Sequence, residues 1–578
     1  MIKPLFSSSS FSSTRHSIQR TRKRPWNHRR LVEGSSAVRS SRSFAASPQQ
    51  EEPPPKHEYT RNNDHQQHPQ QQTLVVALSG GVDSSVAAAL LQQQLSNNSN
   101  STNNHHYNLT AVHMTNWNHH DPDEQQETTN TCSEQDWKDA QRVAQHLQLP
   151  LTRQRLEAEY WNQVFLPYLD NLLLRHHMGN PDTDCNLYIK FGALRENLQT
   201  QYGPNSWLAT GHYARLWYGQ QRHRGEETTD NGTRHPPFLP DYTDLVEEHI
   251  ANDPHNNQEW LFSRFHKMQQ SHSHESSSHH PWLLAAADKR KDQSYFLSTC
   301  SSAQLQNVLF PLGDYFKKEE DSLSSTTTTN THSELSSRPT TTVRDLAHHF
   351  QLPTADKRES MGICFIGKRR RWKDFVQEYM PPQESLVDFC DIETGRVLSS
   401  SMEGPPTLYA IGRGAQLGGM AERYFVCGYD DDHDDDDDDD DENTKNDNDQ
   451  QTTKHRVWVC PGTHHPALYA DWFTVRDLQW VHPYTIPHFM LEQGGVLHCH
   501  CRIRHLQPLM DCAVTYNCES NEYTIRMVDQ PLRGISPGQV LALYVADGLV
   551  CLGGGTIQRR GPSYWKQGKS VSVVQQQK

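Results

Sequence analysis

The sequence predicts an α/β protein in which a doubly wound parallel sheet is followed by a small antiparallel β-barrel. An apolar run at 74–78 leads into a Ser- and Gly-rich turn at 79–85 that opens a helix-like run. The same strand-then-helix order recurs at 109–114 and 132–147, which indicates parallel strands with crossover helices. From about residue 458 the pattern changes to short alternating strands separated by turn residues, which is typical of an antiparallel barrel.

The turn at 79–85 has the composition of a phosphate-binding loop. Glycines let backbone N–H groups approach an oxyanion, and the N-terminus of the following helix adds the positive end of its dipole. Serine hydroxyls can donate to phosphate oxygens, whereas Asp83 can help only through a cation, for which Mg²⁺ is the candidate. No Lys follows the glycines, so this is not the GxxxxGK[ST] loop of ordinary nucleoside triphosphatases. A tight turn without a ligand is the less favoured alternative.

Composition limits how much of the 578-residue chain can fold. Hydrophobic residues make up 34 % and the mean hydropathy is −0.85. We therefore expect disordered insertions at about 219–280 and 317–340. The net charge is −14, and without the twelve acidic residues of the run at 430–442 it would be −2. This balance does not indicate a general nucleic-acid binder, so any such binding must come from local patches.

Two internal segments carry concentrated charge. The acidic run at 430–442 is interpreted as a solvated loop, and a partner-binding role is the less favoured alternative. The segment 368–373 is the densest basic patch outside the N-terminal region. It fits a contact with a nucleic-acid backbone or an exposed helix face about equally well.

The N-terminal 45 residues have the profile of an organelle transit peptide. They contain ten Lys or Arg and a single acidic residue, Glu33, are rich in serine, and lack a continuous apolar core. A mitochondrial address is favoured over a plastid one, and a transit peptide over a disordered basic tail. Residues 46–72 are expected to form a disordered Gln- and Pro-rich linker. No apolar run is as long as a membrane span.

Neither the cysteines nor the histidines form a recognisable metal module. No CxxC pair occurs among the twelve cysteines, which disfavours a disulfide framework or a standard zinc module. Cys499 and Cys501 fall on the same face of one strand, so they, Cys512 and Cys518 are expected to pack in the barrel core rather than bind zinc. The 35 histidines are scattered through biased segments, which favours low complexity over metal storage.

A candidate nucleophile lies in the turn-rich stretch 180–186. Apolar residues at 187, 191, 194 and 198 then define one helical face, so Cys185 is expected at or just before a helix N-terminus. That position lowers the pKa of a thiol and makes it a better nucleophile, whereas Asp184 opposes the effect. A small buried apolar cysteine is the alternative, which the turn-rich approach disfavours.

Four further segments can be placed from their patterns. Residues 207–214 form a strand that ends in Gly-His, at the rim that carries the phosphate loop. Residues 291–297 read as an exposed helix start, and residues 343–350 as a short helix. Cys364 lies in a Gly-flanked apolar segment at 360–367, which taken alone favours a core strand.

Together these motifs resemble those of the tRNA-specific 2-thiouridylases, most closely their mitochondrial type. The matching segments occur in the family's order: SGGVDSS (79–85), MTNW (114–117), NPDTDCNLYIKFG (180–192), ATGHYAR (209–215), KDQSYFLS (291–298), GICFIGKR (362–369), HPALY (465–469), PGQ (537–539) and GGGTI (553–557). The resemblance implies an ATP-pyrophosphatase (PP-loop) domain at 73–366, a small central tRNA-binding domain at 367–457, a C-terminal β-barrel at 458–560 and a tail at 561–578.

The resemblance also implies a reaction, the formation of 2-thiouridine at the wobble position of organellar tRNAs. ATP would adenylate the uracil O2, releasing pyrophosphate, and that oxygen would later leave as AMP. A persulfide donor or relay protein would load Cys364, and the terminal sulfur would pass to C2. Cys185 would act as the nucleophile that releases it, leaving a transient disulfide between the two thiols. Acceptors of the Lys, Glu and Gln type and no membrane association are implied.

Site residues follow from the matched motifs. Catalysis is assigned to Cys185, Cys364 and Asp182. ATP binding, with Mg²⁺ on Asp83, is assigned to Ala77, Leu78, Ser79, Gly80, Gly81, Val82, Asp83, Ser84, Met114 and Gly211. Binding of tRNA, with the target base flipped out of its loop, is assigned to Asn180, Pro181, Asp182, His212, Lys291, Asp292, Gln293, Arg504 and Gln539.

Two segments depart from the family pattern. The central segment usually reads close to YTIGQRKGLGIGG but is YAIGRGAQLGG at 409–419, and the basic-aromatic pair of the barrel is Arg504-His505. Two other interpretations stay open: an amide-forming synthetase with the same phosphate loop, and a tRNA-binding or scaffold protein with an inactive site.

Overall fold

A parallel sheet, a small mixed sheet and an antiparallel barrel carry the structure of this chain. The computed structural model describes residues 72–98, 107–117, 132–174, 177–218, 239–255, 280–318, 341–358, 375–376, 378–379, 386–401, 408–430, 454–482 and 491–571. None of the helices in these stretches has the length and apolar character that a membrane crossing requires.

The first seven strands divide between the parallel sheet and the barrel. They are β1 (Gln72–Ala77), β2 (Tyr107–Thr115), β3 (Leu151–Arg155), β4 (Trp207–Ala209), β5 (Arg215–Trp217), β6 (Trp282–Leu284) and β7 (Val308–Leu309). The parallel sheet has the order β3-β2-β1-β4-β7. The chain therefore runs outward from β1 on one side and then returns to build the other side, so that the order reverses between β1 and β4. That reversal creates the crevice in which doubly wound sheets bind ligands.

Helices lie between these strands and directly after them in the chain. They are α1 (Val82–Asn98), α2 (Cys132–His146), α3 (Glu157–Tyr160), α4 (Leu166–Leu174), α5 (Pro181–Asp184), α6 (Arg195–Tyr202), α7 (Thr243–Ala251), α8 (Ser294–Leu297), α9 (Ser302–Leu305) and α10 (Val343–His349). Two π-helical segments, Trp161–Phe165 and Cys185–Leu194, join α3 to α4 and α5 to α6. The predicted helices at 132–147 and 343–350 are confirmed within a residue.

A four-stranded sheet forms the small central domain. Its strands are β8 (Leu386–Asp391), β9 (Val397–Ser401), β10 (Tyr424–Tyr429) and β11 (Lys454–Pro461), in the order β10-β11-β8-β9. Because β11 pairs with β8 over residues 454–459 and with β10 over residues 457–461, residues 458–461 belong to this sheet and not to the barrel. The predicted boundary at 457/458 therefore cuts through a strand, since an alternating pattern alone does not identify a strand's partner.

The predicted antiparallel barrel is confirmed, with a contribution that the sequence did not indicate. After the short strand β12 (Tyr469–Ala470), which pairs with β17, the strands are β13 (Trp472–Trp480), β14 (Leu497–Arg502), β15 (Met510–Asn517), β16 (Glu522–Met527), β17 (Leu532–Arg533), β18 (Val540–Val545) and β19 (Val550–Arg560). Strands β13, β16, β15, β14, β18 and β19 close into a six-stranded barrel through the β13–β19 pairing. Strands β6 and β5 extend β19, so the two halves of the chain share one sheet.

Part of the insertion expected to be disordered is folded. Within 219–280, the structure describes residues 239–255 and residue 280, and the first of these stretches contains α7. Val246 and Ile250 of α7 are fully buried in the same hydrophobic cluster as the barrel residues Leu543 and Val545. These apolar positions, one helical turn apart, provide the burial that the surrounding polar composition conceals.

Candidate active site

The phosphate loop, residues 79–84, lies between β1 and the first turn of α1. Gly80 has a φ of +77°, and a Cβ at this position would lie 2.2 Å from the carbonyl oxygen of Asp136, so only glycine fits. The Ser84 Oγ accepts a hydrogen bond from the Ser79 N–H at 3.1 Å and lies 3.0 Å from the Ser79 Oγ. The first N–H groups of α1 have no intrahelical acceptor and can serve an anion.

The backbone that follows β4 forms the opposite wall of this crevice. A Cβ on Gly211 would lie 2.8 Å from the backbone nitrogen of Ser84, so the two segments are in direct contact. The sequence analysis placed Gly211 at the rim of the phosphate loop, and that position is confirmed. Met114 lies near the carboxyl end of β2, the strand that pairs with β1 on its other side.

Lys357 supplies positive charge that the loop sequence lacks. Its Nζ donates a hydrogen bond to the carbonyl oxygen of Gly80 at 2.8 Å and pairs with Asp136 and Asp139 of α2 at 2.7 and 2.5 Å. Lys357 could not be found from the sequence, because it lies 277 positions after Gly80 and in no recognised motif. The pairing holds α2 and the phosphate loop together.

Asp83, the predicted Mg²⁺ ligand, has one carboxylate oxygen engaged by two neighbouring side chains. Its Oδ1 accepts from the Tyr213 hydroxyl at 2.8 Å and from Nζ of the buried Lys317, while Oδ2 has no partner in the described part of the chain. Mg²⁺ at phosphate sites is usually held by one or two carboxylates, with phosphate oxygens and water completing the shell. Lys317 is a second lysine that no motif indicated, and it is buried although it opens the stretch 317–340 that was expected to be disordered.

Asn180 begins the helix that carries the candidate nucleophile. Its side chain accepts from the Thr183 N–H at 3.4 Å, and Pro181 occupies the first helical position. Proline is favoured there because its missing N–H would have no partner anyway. The expectation that Cys185 lies at or just before a helix N-terminus is therefore wrong: the helix begins at Pro181, and Cys185 lies one turn inside it.

Cys185 shares an edge of the parallel sheet with the phosphate loop. The thiol is 1 % exposed, and its Sγ accepts a hydrogen bond from Asn116 Nδ2 at 3.6 Å. Asn116 directly follows β2, two residues after Met114, and β2 neighbours β1, which leads into the phosphate loop. The thiol and the phosphate crevice are thus set by the ends of adjacent strands.

Asp184 differs from an ordinary surface carboxylate. Burial raises the pKa of Asp184 to about 7. Near neutral pH a large fraction of this side chain is therefore protonated and carries no charge beside Cys185. Asp184 was expected to oppose ionisation of the Cys185 thiol by charge repulsion, and protonation of Asp184 reduces that repulsion.

The barrel supports the residues that precede this helix. Gln539 Nε2 donates to the Met178 carbonyl at 2.7 Å, and the Met178 N–H donates to the Pro537 carbonyl at 3.2 Å. A Cβ on Gly538 would lie 2.7 Å from the Met178 nitrogen, and its φ is +85°. The PGQ motif at 537–539 therefore packs directly against the chain two residues before Asn180.

His212 and Gln293, both expected to contact tRNA, are engaged in internal contacts. His212 is buried and its Nδ1 lies 2.6 Å from the Thr210 Oγ1. Burial, with Lys190 nearby, holds the pKa of His212 well below its usual value, so the ring is neutral. Gln293 accepts from the Tyr213 N–H at 2.9 Å and donates its own N–H to the Tyr213 carbonyl at 2.7 Å.

Asp292 and Arg504 likewise face inward. The segment at 291–297 was expected to be exposed, but Asp292 is 3 % exposed and its carboxylate accepts from the N–H groups of Ala286 and Ser294, both at 3.1 Å. Arg504 donates to the carbonyls of Ile411 and Gly534 at 3.0 and 2.6 Å. It thus joins the barrel to the central segment 409–419. Both side chains, which were expected to contact tRNA, thus bond to backbone groups inside the fold.

Cys364 and the basic segment 368–373 lie outside the described residues. The chain is described up to Arg358 and again from Phe375. Phe375 packs against Trp117 and Phe165, with ring centroids 5.6 and 5.7 Å apart. Trp117 follows Asn116, the partner of Cys185. The two flanks of the Cys364 segment are therefore anchored at the phosphate loop, through Lys357, and beside Cys185.

The buried cysteines of the barrel behave as predicted. Cys499, Cys501 and Cys512 are all fully buried, and the sulfur atoms of Cys499 and Cys512 lie 3.7 Å apart across strands β14 and β15. Cys518, which was expected in the core with them, is exposed. It lies in the turn after β15, where no sheet covers it.

A parallel sheet with a lysine-free glycine loop at its switch point, joined to a closed barrel, defines an α/β protein of the PP-loop class. Residues 72–235, 256–338 and 322–368 match the family described as "tRNA methyl transferase HUP domain", and residues 470–557 match the "Aminomethyltransferase beta-barrel domain". The chain belongs to the tRNA-specific 2-thiouridylase family, a family of tRNA sulfurtransferases.

Named relatives support this membership over most of the chain. The human protein named mitochondrial tRNA-specific 2-thiouridylase 1 is 30% identical over 458 residues, covering 79% of this chain and 86% of its own. The zebrafish (Danio rerio) protein of the same name is 30% identical over 81% of this chain and 89% of its own. The tRNA-specific 2-thiouridylase MnmA of Levilactobacillus brevis is 29% identical over 78% of this chain and 88% of its own.

Proposed function

We propose that this protein thiolates a tRNA uridine at C2, using ATP and persulfide sulfur, and that its target is the wobble position of mitochondrial tRNAs. The observation that carries the proposal is the placement of the buried Cys185 thiol, through Asn116, at the sheet edge that also holds the phosphate loop. A thiol beside a nucleotide-activating crevice is what sulfur transfer to an activated base requires.

ATP would be held by the phosphate loop, with Gly211 and Met114 forming the adjacent walls. The loop N–H groups, the α1 dipole and Lys357 supply positive character, and Asp83 offers one ligand to Mg²⁺. ATP would supply the energy for replacing the uracil O2, which leaves as AMP after pyrophosphate has departed. Lys317 limits the repulsion between Asp83 and the phosphates by neutralising that carboxylate.

Sulfur transfer balances with two cysteines. The terminal sulfur of a Cys364 persulfide bonds to C2 as the C2–O bond to AMP breaks. The Cys185 thiolate then attacks Sγ of Cys364, the sulfur–sulfur bond to the base breaks, and 2-thiouridine leaves with its sulfur. A Cys185–Cys364 disulfide remains and takes two electrons from an external thiol reductant before the next turnover. Asn116 donates to the Cys185 thiol, and the largely protonated Asp184 is the residue that precedes it in the chain.

Chain length permits the two cysteines to meet. Cys364 follows Lys357 by seven residues, and a fully extended chain spans at most about 3.6 Å per residue, so it lies within roughly 25 Å of Lys357. Lys357 contacts the phosphate loop, and Phe375 packs on Trp117 beside Asn116. The covalent limit and these two anchors support the proposal that Cys364 can reach Cys185.

The tRNA is proposed to approach where the 181–202 helix meets the barrel. Asn180, Pro181 and Asp182 open that helix and are proposed to bracket the flipped base. Lys291, which directly precedes Asp292, is proposed to supply positive charge to the tRNA. The inward-facing contacts of Asp292, Gln293 and Arg504 are proposed to shape this surface. The named mitochondrial relatives and the transit-like N-terminus support a mitochondrial location.

The test separates the ATP step from the sulfur step. The purified protein is incubated with mitochondrial tRNA transcripts, ATP, Mg²⁺ and a persulfide donor, and pyrophosphate and 2-thiouridine are measured. Cys185→Ser and Cys364→Ser are expected to retain tRNA-dependent pyrophosphate release but to lose at least 100-fold in 2-thiouridine. Cys300→Ser, a buried cysteine outside both motifs, is the control and should keep both activities.

Two outcomes would contradict the proposal. Full turnover of ATP-dependent chemistry in both cysteine variants would favour an amide-forming synthetase. Absence of pyrophosphate release with every mitochondrial tRNA would favour a tRNA-binding protein with an inactive site. Mass analysis of mitochondrial tRNA nucleosides from cells with and without the protein tests the target, and an unchanged 2-thiouridine level would overturn it.

A further inference from the structure

Three metal-ligating side chains converge on the outer face of the barrel, separate from the phosphate crevice in fold position. His255 Nε2, His500 Nδ1 and Asp511 Oδ1 all lie within 4.8 Å of one another. Asp511 Oδ1 is 2.7 Å from His500 Nδ1 and 3.3 Å from His255 Nε2, and the two nitrogen atoms are 3.5 Å apart. The three atoms thus form a small triangle with one short edge, between His500 and Asp511.

The barrel fixes two of these side chains by strand pairing. His500 of β14 and Asp511 of β15 are directly opposite each other across the ladder. His500 points away from Cys499 and Cys501, its neighbours in sequence, which face the core. Its Nε2 is buried without a hydrogen-bond partner in the described part of the chain, so the polar contacts of this ring lie on the side of the triangle.

The third side chain comes from the insertion. His255 lies four residues after α7, in the stretch between the matched segments 72–235 and 256–338. Asp253 anchors this turn by accepting the Ala546 N–H at 3.0 Å. The cluster therefore joins an element outside the family match to the barrel.

We propose that His255, His500 and Asp511 bind one Zn²⁺ ion that fastens the α7 insertion to the barrel. Donor atoms around tetrahedral zinc, with bonds of about 2.0–2.2 Å, are separated by about 3.3–3.6 Å. The two edges at His255, 3.3 and 3.5 Å, have this length, whereas the 2.7 Å edge between His500 and Asp511 is a hydrogen bond that the ion would replace and lengthen. Two imidazoles and a carboxylate suit zinc among the common biological metals. Asp511 is the most exposed of the three side chains, at 38%, so the fourth position opens on its side and takes water.

The competing arrangement is a metal-free cluster in which both imidazoles donate to the Asp511 carboxylate. It uses the same atoms but makes no demand for zinc. The two differ in metal content and in the response of stability to zinc. The inference does not depend on the proposed tRNA chemistry, because none of the three residues belongs to that site.

The test uses the full-length protein without a histidine tag, because the histidines of a tag would bind zinc themselves. After dialysis against a mild chelator, zinc per chain is measured by mass spectrometry for the wild type and for His255→Gln, His500→Gln and Asp511→Asn. His249→Gln, on α7 but outside the triangle, is the matched control. The wild type and the control are expected to retain about one equivalent more zinc than the three variants.

Two further measurements keep the result independent of misfolding. Co²⁺ added to the metal-free protein is expected to give the visible absorption of a tetrahedral site in the wild type and in His249→Gln, and at least a tenfold weaker band in His255→Gln. Zinc should raise the melting temperature of the wild type but not of His255→Gln, whose altered side chain lies outside the barrel ladder. Equal zinc retention in all variants, or no zinc-dependent shift in the wild type, would overturn the proposal in favour of the hydrogen-bonded cluster.

Discussion

The Nζ of Lys357 donates a hydrogen bond to the carbonyl oxygen of Gly80, across 277 positions of the chain. Gly80 is the tightest point of the phosphate loop, and Lys357 is seven residues before Cys364. This single contact therefore joins the loop proposed to hold ATP to the segment proposed to carry sulfur. It also brings a positive charge to a loop whose own sequence has none.

Replacing Lys357 by Met is expected to impair ATP use more than folding. The change removes the charge beside the loop and leaves Asp139, whose side chain is 4% exposed, with Arg142 as its remaining cationic partner. We expect kcat/KM for ATP in pyrophosphate release to fall 10- to 100-fold, and the free energy of unfolding to fall by about 1–3 kcal/mol.

A double variant distinguishes these two effects. Lys357→Met with Asp139→Asn removes the buried carboxylate that has lost its lysine, so urea unfolding should return toward the wild type while pyrophosphate release stays low. Recovery of ATP use together with stability would mean that Lys357 acts on the fold alone.

Lys317 is expected to neutralise the negative charge of Asp83 by pairing with it. Without its ammonium group, the Asp83 carboxylate faces the phosphates unneutralised, and like charges near a protein surface repel by a few kcal/mol at contact distance. Lys317→Met should therefore raise KM for ATP about 10- to 30-fold, which corresponds to roughly 1.4–2 kcal/mol. The check is a titration of pyrophosphate release with ATP at a low, fixed Mg²⁺ concentration, because Mg²⁺ bound to Asp83 would neutralise the same carboxylate.

Lys318→Met is the matched control for that variant. Lys318 is the next residue and is exposed, so its replacement removes the same charge from the chain without changing a contact of the phosphate loop. Equal effects of the two substitutions would show that net charge, and not the pairing with Asp83, matters.

Local features were the ones that the sequence could predict. The loop at 79–85, the strand before it and the helix after it depend on neighbours within a few residues, and Gly80 has the left-handed φ that its residue type permits. Lys317 and Lys357 could not be found in this way. Their partners lie more than 200 positions away, and only the closure of the fold brings them to the loop.

Two errors have separate physical causes. The stretch 180–186 was interpreted as a turn before the helix, but Pro181 suits the first position of a helix and the Asn180 side chain caps it, so the helix begins earlier. Asp292 was read as exposed because it is charged. Its carboxylate instead satisfies two backbone N–H groups inside the fold, which a one-dimensional pattern does not reveal.

Asp184 should make the protein less stable as the pH rises. Burial raises its folded-state pKa from 3.8 to about 7, so the folded state holds the proton more tightly than the unfolded state. Its contribution to stability is full below about pH 4 and is lost as the pH rises to about 7. Asp184→Asn should therefore match the wild type near pH 4 and exceed it at pH 8 by about 1–4 kcal/mol.

Urea unfolding at pH 4, 5.5 and 8 measures this difference. Asp170→Asn, at an exposed position, is the control and should show no such trend. A constant gap between Asp184→Asn and the wild type at all three pH values would contradict the burial of a titrating carboxyl at this position.

The contacts of the PGQ motif at 537–539 with Met178 should govern the placement of Cys185. A Cβ at Gly538 would lie 2.7 Å from the Met178 nitrogen, so Gly538→Ala must displace the chain that leads into Asn180 and the 181–202 helix. We expect 2-thiouridine formation to fall at least tenfold, and tRNA-dependent pyrophosphate release to fall with it because Asn180 opens the segment proposed to hold the base. The Kd for ATP, which depends on the loop after β1, should change less than threefold. Gly494→Ala is the matched control, because Gly494 has a similar φ of +79° but nothing within 4 Å of its added Cβ. Both variants carry the cost of a left-handed alanine, about 1 kcal/mol, so only the steric displacement separates them. If the two variants lose the same share of sulfur transfer, the barrel does not position the cysteine and the contact is merely structural.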